Sequence, residues 1–130
     1  MDASGSVPDR GSIAVVIERL KRRGDFRAAA GGVRSATRAF VLQARSRGDH
    51  GAVRVGFTVT RQIGGAVERN RAKRRLREAA RLLLPELASP GFDYVFVARG
   101  GVTTRAWPRL LDDVKSALIR LAADRDRPAS

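Results

Sequence analysis

The sequence contains no cysteine and only one histidine, His50. The absence of cysteine excludes a disulfide framework, a thiolate metal site and a cysteine nucleophile. A single histidine excludes a metal site built from several histidines. The apolar runs are also far shorter than the ~18 residues that a membrane-spanning helix needs. These absences indicate a protein of a reducing compartment, and we expect a cytoplasmic location.

Lysine is scarce as well, although positive charge is not. Lys and Arg together number 26, of which only Lys21, Lys73 and Lys115 are lysines, and the formal net charge is +13. Hydrophobic residues make up 43% of the chain, so a core can form. A folded chain with this charge is expected to bind a polyanion, and arginine suits structured nucleic acid because it grips phosphate bidentately. A GC-rich genome would explain the ratio of arginine to lysine equally well, but not the net charge.

A length of 130 residues suits one domain. We predict a flexible N-terminal extension at residues 1–19, an α+β domain at 20–123 and a charged tail at 124–130. The apolar patterns predict these elements in order: a helix at Arg23–Ala30, strands near Phe40–Arg45 and Arg54–Thr60, a helix at Val67–Leu87, a strand at Phe92–Ala98 and a helix that begins between Thr104 and Pro108. This order predicts helices that cover a sheet with one parallel pair, for which a right-handed crossover is the default.

The longest predicted helix separates charged from apolar side chains. Between Glu68 and Arg81 it holds seven cations and two acids, so the net charge of these fourteen residues is 7 − 2 = +5. At 100° per residue, one side carries Ala72, Leu76, Ala79, Ala80, Leu83 and Leu87, the opposite side carries Asn70, Lys73, Arg74, Arg77 and Arg81, and Arg71 and Arg75 flank them. Like charges four residues apart each cost about 0.2–0.5 kcal/mol. A phosphate backbone would compensate for this repulsion, whereas the alternative is a merely solvated face.

Arg69-Asn70-Arg71, followed by Ala72-Lys73-Arg74-Arg75-Leu76-Arg77, resembles the Arg-Asn-Arg signature of the protein component of bacterial ribonuclease P. Other segments match that family in order and spacing: Leu20–Phe26 resembles the entry to its first helix, Phe40–Leu42 its second strand, Arg54–Thr60 its third strand, Ile63–Val67 the loop that follows, and Asp93–Arg99 its fourth strand. The resemblance covers about residues 20–122, so it rests on an ordered set of segments and not on one tripeptide.

The resemblance implies a fold and a function. The fold is an α-β-β-β-α-β-α two-layer sandwich, similar to the second domain of ribosomal protein S-five, with a left-handed crossover and a short added strand near residues 33–36. The family's protein binds a large catalytic RNA and the 5′ leader of precursor tRNA. The holoenzyme removes the leader by Mg²⁺-dependent hydrolysis, with the chemistry and most of the Mg²⁺ held by the RNA. We expect the chain to be a monomer before it meets the RNA.

The resemblance also assigns residues to two surfaces. The catalytic RNA would contact Arg69, Asn70, Arg71, Lys73, Arg74, Arg75 and Arg77. The leader would lie near Phe26, Phe40, Gly56, Thr58, Thr60 and Arg61, where an aromatic ring in a basic groove lets unpaired nucleotides stack without sequence preference. Ala30 and Gln43 replace aromatic residues that other members carry, so we expect groove electrostatics to contribute more here.

The remaining residues distinguish between alternative functions. His50 stands in a glycine-rich turn, and no acid–base pair has the spacing that a protein nuclease needs, so we predict no catalytic residue and no metal site in this chain. A ribosomal or ribosome-assembly protein that binds structured ribosomal RNA would share the charge and the arginine-rich helix. A DNA-binding module is disfavoured because no helix–turn–helix partner precedes the basic helix.

Overall fold

A computed structural model describes the backbone of residues 16–126 and the side chains of residues 16–123. The elements in chain order are β1 (Ile17–Arg19), α1 (Arg23–Ala30), β2 (Val33–Ala36), β3 (Phe40–Ser46), β4 (Val53–Thr58), α2 (Ala66–Leu87), β5 (Phe92–Ala98) and α3 (Trp107–Asp126), with short 3₁₀ helices at Arg61–Ile63 and Gly100–Thr103. The predicted α+β class is confirmed. Strand β2 stands where the family resemblance expects an added strand.

The five strands form one mixed sheet in the order β1-β4-β5-β3-β2. Strands β4 and β5 are parallel and are connected through α2, as the strand–helix–strand pattern predicts. Strand β5 also pairs with β3 in antiparallel register, from Phe40 opposite Ala98 to Ser46 opposite Phe92. Helix α2 is therefore the connection between two adjacent strands within the sheet.

Both predicted domain boundaries differ from the structure. Residues Ile17–Arg19 belong to the predicted extension, yet they form β1 and pair in parallel with β4, with Ile17 opposite Val53 and Arg19 opposite Val55. A strand of three residues is too short to show an alternating pattern, so the sequence carries no signal for it. At the other end, α3 continues to Asp126, three residues into the predicted tail. The rest of the extension, residues 1–15, and of the tail, residues 127–130, lies outside the described residues.

The core lies between the sheet and helices α2 and α3. Because side chains alternate along a strand, one face of the sheet carries Phe40, Leu42, Phe57 and Phe96, which pack with the apolar stripe of α2. The predicted stripe is confirmed, since Ala72, Leu76, Ala79 and Ala80 are buried. Helix α1 lies on the opposite face, where Phe26 and Ala29 pack on Val95 and Val97. Helices therefore cover part of each side of the sheet, and the outer face of α2 is free.

Candidate nucleic-acid interface

The outer face of α2 presents a row of polar side chains, which we call the basic ridge: Asn70, Arg71, Lys73, Arg74 and Arg77. Lys73 is half-buried and the other four are exposed. Within the described part of the chain, none of the four cations makes an ion pair or a side-chain hydrogen bond. Lys73 and Arg77 are four residues apart and repel each other. The ridge thus holds uncompensated positive charge on a helix that the core fixes in place.

Two arginines predicted to contact RNA, Arg69 and Arg75, also donate hydrogen bonds to backbone carbonyls within the fold. The Arg69 guanidinium donates from Nη1 to the Gly64 carbonyl at 2.9 Å. Arg75 donates from Nη1 to the Val102 carbonyl at 2.7 Å and from Nη2 to the Arg105 carbonyl. Burial, with repulsion from Arg71, lowers the pKa of Arg75. The charge pattern alone did not separate these two side chains from the ridge, although the helical projection does put Arg75 at its margin.

A groove runs beside the ridge, which we call the α1 groove. Its volume is about 490 Å³, and its lining includes β1, Phe26, Gly56, Lys73 and Arg77. The Phe26 ring covers Gly56 so closely that a Cβ at residue 56 would stand 2.5 Å from two ring carbons. Glycine is therefore the residue that lets the ring lie on the strand. Two cations of the ridge and the aromatic ring of Phe26 thus line the same groove.

The sequence matches a known protein family over most of its length. The family model described as Ribonuclease P matches residues 17–122. The chain belongs to the ribonuclease P protein family. A ribonuclease P protein component of Caulobacter vibrioides is 64% identical over 111 residues, which cover 85% of this chain and 74% of that protein. The component of Ruegeria pomeroyi is 48% identical, over 82% of this chain and 88% of that one.

A solved ribonuclease P protein, that of Thermotoga maritima, shares the fold with a TM-score of 0.67 and 28% identity, over 78% of this chain and 96% of that one. The prediction of a ribonuclease P protein component is confirmed, and the comparisons do not support the ribosomal alternative. The protein is thus similar to known components of a ribonuclease along nearly the whole described chain.

The residues predicted for the leader surface of this ribonuclease P family member do not all come together. Phe26 and Gly56 both line the α1 groove. Thr58 lies two residues beyond Gly56 on β4, so it shares its face of the sheet and is half-buried. Thr60 and Arg61 are exposed beyond the end of β4 and do not line the groove.

The assignment of Phe40 to the leader surface is wrong. Its side chain has 0% exposure and meets Phe96 edge to face, with ring centroids 5.3 Å apart. It shares the face of Leu42 and Ala44, which α2 and α3 cover, whereas Phe26 lies on the other face. The alternation along β3 carries this information, because residues 40, 42 and 44 must point the same way.

A cluster of charges on the α1 side of the sheet had no counterpart in the sequence-based predictions. Asp93 is fully buried, and it accepts hydrogen bonds from Arg54 at 2.8 Å twice, from Arg47 at 2.7 Å and from Arg45 at 3.3 Å. Burial raises the pKa of Asp93, but the hydrogen bonds from Arg54 and Arg47 outweigh it, so the pKa lies below its ordinary value. Asp25 pairs with Arg45 and Arg54 at 3.4 Å. These arginines are compensated within the fold, unlike the ridge cations.

Groups that could serve hydrolysis are not assembled in the described part of the chain. His50 and Asp112 are exposed, and Asp113 pairs with Arg105 at 2.8 Å. No group of three or more histidine or carboxylate side chains within residues 16–123 is placed to hold a metal ion. None of the described helices combines the length and the apolar character that crossing a membrane requires.

Proposed function

We propose that this chain is the subunit of a ribonuclease P ribonucleoprotein that binds the catalytic RNA through the basic ridge and the 5′ leader of precursor tRNA along the α1 groove. In this role it assists the endonucleolytic cleavage that gives the mature tRNA 5′ end. The observation that carries the proposal is the row of free cations, Arg71, Lys73, Arg74 and Arg77, on a helix anchored in the core.

The ridge suits an RNA backbone for electrostatic reasons. Its cations project from neighbouring turns of one helix, and phosphates placed between them would remove the repulsion that the free protein carries. The compensated arginines around Asp93 offer no such gain, because their charge is already paired. Free cations within the described residues also include Lys21–Arg23, but those of the ridge stand along a long helix that packs on the core, and this favours the ridge as the binding surface.

The α1 groove suits an unpaired strand. Phe26 supplies a ring on which bases of any identity stack, and Lys73 and Arg77 supply charge for the phosphates. These two cations belong both to the ridge and to the groove wall. A leader in the groove would thus run beside the catalytic RNA on the ridge, which is the arrangement that leader cleavage requires.

The proposal places catalysis and most of the Mg²⁺ in the RNA. The described residues do not form a cluster that suits Mg²⁺, which prefers several oxygen ligands, so no step is assigned to a metal on the protein. The protein's own part is to hold the two RNAs in place. The proposal includes a monomeric chain before assembly and a cytoplasmic location, where tRNA precursors are processed in bacteria.

Reconstitution tests the proposal. Purified chain, ribonuclease P RNA transcribed from the same genome, and the two together are each incubated with a precursor tRNA at low Mg²⁺. Leader removal is expected only for the mixture, at a rate well above that of the RNA alone. Cleavage by the RNA-free protein at the rate of the mixture would overturn the placement of catalysis. Capture of ribosomal RNA in place of ribonuclease P RNA, in a pull-down from cells read by sequencing, would overturn the function itself.

A further inference from the structure

A second groove lies on the other flank of the basic ridge, where nothing assigned so far makes use of it. Its volume is about 520 Å³, and α2 forms one wall while the segment that leads into α3 forms the other. We call it the Trp107 groove, and its lining residues include Glu68, Arg71, Thr103, Thr104, Arg105 and Trp107. A volume of this size accommodates a single nucleotide.

The Trp107 groove carries one aromatic side chain and one free cation. The indole of Trp107 is half-buried against the core, and the Arg75 guanidinium lies 5.8 Å from the ring centroid. Arg75 also donates to the Val102 and Arg105 carbonyls, so it fixes the two walls relative to each other. The groove is therefore held open by the fold itself, before any ligand arrives.

The remaining charges define what the groove accepts. Arg105 is paired with Asp113 through two hydrogen bonds, of 2.8 and 3.1 Å, so its charge is compensated. Arg71 is exposed and has no partner within the described residues. Glu68 is the acid on the wall, and its carboxylate disfavours a phosphate beside it but can accept a hydrogen bond from a base amino group. The site thus offers a cation for one phosphate and an aromatic surface for one base.

We propose that the Trp107 groove binds an unpaired nucleotide of the same RNA that lies on the basic ridge, with the base against the Trp107 indole and its phosphate on Arg71. The inference rests on the proposed function, because Arg71 belongs to both the ridge and the groove and an RNA on the ridge passes the groove's mouth. Single bases that are splayed out of a helix pack on aromatic side chains in this way. The ridge then contacts RNA on both flanks, with the leader on one side and an unpaired nucleotide of the catalytic RNA on the other.

Trp107 is the only tryptophan of the chain, so its fluorescence reports on this groove alone. The full chain is titrated with the transcribed ribonuclease P RNA, and binding is followed independently by gel mobility of labelled RNA. We expect emission to be quenched as the complex forms, and acrylamide quenching of the remaining emission to fall at least about two-fold. Complex formation with unchanged emission and unchanged acrylamide access would overturn the inference while leaving the proposed function intact. Absence of any complex would overturn both.

Two substitutions separate a binding role from a structural one. Trp107→Leu is expected to weaken RNA affinity about five-fold or more, because base–aromatic stacking contributes about that much, while Trp107→Phe retains most of the affinity. The salt dependence of binding should be the same for both variants and the native chain, since no phosphate contact is removed. Equal affinity of the leucine and phenylalanine variants, with melting temperatures that both fall, would show a purely structural tryptophan and overturn the inference.

Discussion

The ring of Phe26 lies against the backbone of Gly56 with no room for a methyl group between them, since a Cβ at residue 56 would stand 2.5 Å from ring carbons Cε1 and Cζ. This contact sets the position of the Phe26 ring at the α1 groove.

Gly56→Ala is expected to push the Phe26 ring off β4, at a cost of roughly 1–3 kcal/mol in the free energy of unfolding. In the reconstituted holoenzyme, the ratio of affinities for leader-bearing precursor and mature tRNA should fall at least about five-fold, because stacking on the ring is lost. Gly24→Ala is the control, since a Cβ there meets nothing within 4 Å. If Gly56→Ala kept the preference for leader-bearing precursor over mature tRNA, Phe26 would not be part of the leader site.

Arg74 and Arg75 are neighbours in sequence, but within the described residues only the Arg75 side chain has hydrogen-bond partners. Arg74→Ala should lower RNA affinity and reduce the slope of log K against log salt by about 0.7–0.9, while the melting temperature stays constant. Arg75→Ala should lower the free energy of unfolding by about 1.5–3 kcal/mol, because two backbone carbonyls lose a charged donor. Filter binding at several salt concentrations and thermal melting measure both. Equal loss of stability in the two variants would contradict the separation of the ridge from the fold.

Phe26 and Phe40 form a second contrasting pair. Phe40→Leu should cost roughly 1–2 kcal/mol of stability, since a core ring packed on Phe96 is lost, and should leave the leader preference of the holoenzyme unchanged. Phe26→Leu should abolish most of that preference with a smaller cost in stability, because Phe26 is only half-buried. Urea unfolding and competition between precursor and mature tRNA provide the measurements. Loss of the leader preference in Phe40→Leu, with the preference kept in Phe26→Leu, would show that Phe40 and not Phe26 belongs to the leader surface.

The lowered pKa of Asp93 makes the stability of the fold depend on pH in the acid range. Its pKa is lowered from 3.8 in the folded chain, because hydrogen bonds from Arg54 and Arg47 outweigh its burial. As the pH falls, the Asp93 carboxyl of the unfolded chain therefore takes up a proton at a higher pH than the same carboxyl in the folded chain. The stabilisation is complete above the unfolded pKa and is lost as the pH falls through the folded one.

Asp93→Asn should cost about 3 kcal/mol near pH 7, since it leaves clustered guanidinium groups without their buried partner, and should flatten the fall in stability below pH ~4. Urea titrations between pH 3 and 7 measure both effects. Asp112→Asn is the control, because Asp112 is exposed and makes no ion pair in the described part of the chain. If the stability of Asp93→Asn fell with acid pH as steeply as that of the native chain, other carboxyl groups would be responsible for the fall.

The sequence predicts the elements well where the patterns are long. Helix α1 and strand β5 have the predicted bounds, and α2 begins one residue before its predicted start. Long amphipathic segments report which side is buried, and this is what places the basic ridge. The sequence does not predict strand β1, because pairing to Val53–Val55, and not its own three residues, makes it a strand.

The candidate site is harder to predict because charge does not reveal its partners. Residues 71, 74 and 75 are all arginines of α2. Of these three, only Arg75 donates hydrogen bonds to carbonyls of another segment. Asp93 likewise stands in an apolar run that predicts a buried strand. The residues next to it in the sequence give no indication of its arginine partners, which come from β3, β4 and the turn between them. Contacts between segments distant in sequence decide both cases.

Helix α2, which carries the basic ridge, connects the parallel neighbouring strands β4 and β5. This connection links folding of the chain to formation of the ridge. The segment between Thr58 and Phe92 must close before β4 and β5 can pair, and closure of such a long-range contact is a slow part of folding. An incompletely folded chain carries the same arginines but not in a row. An RNA that bound the aligned row, as proposed, would stabilise the native state by mass action, so that formation of the ribonucleoprotein would favour correctly folded copies of the chain.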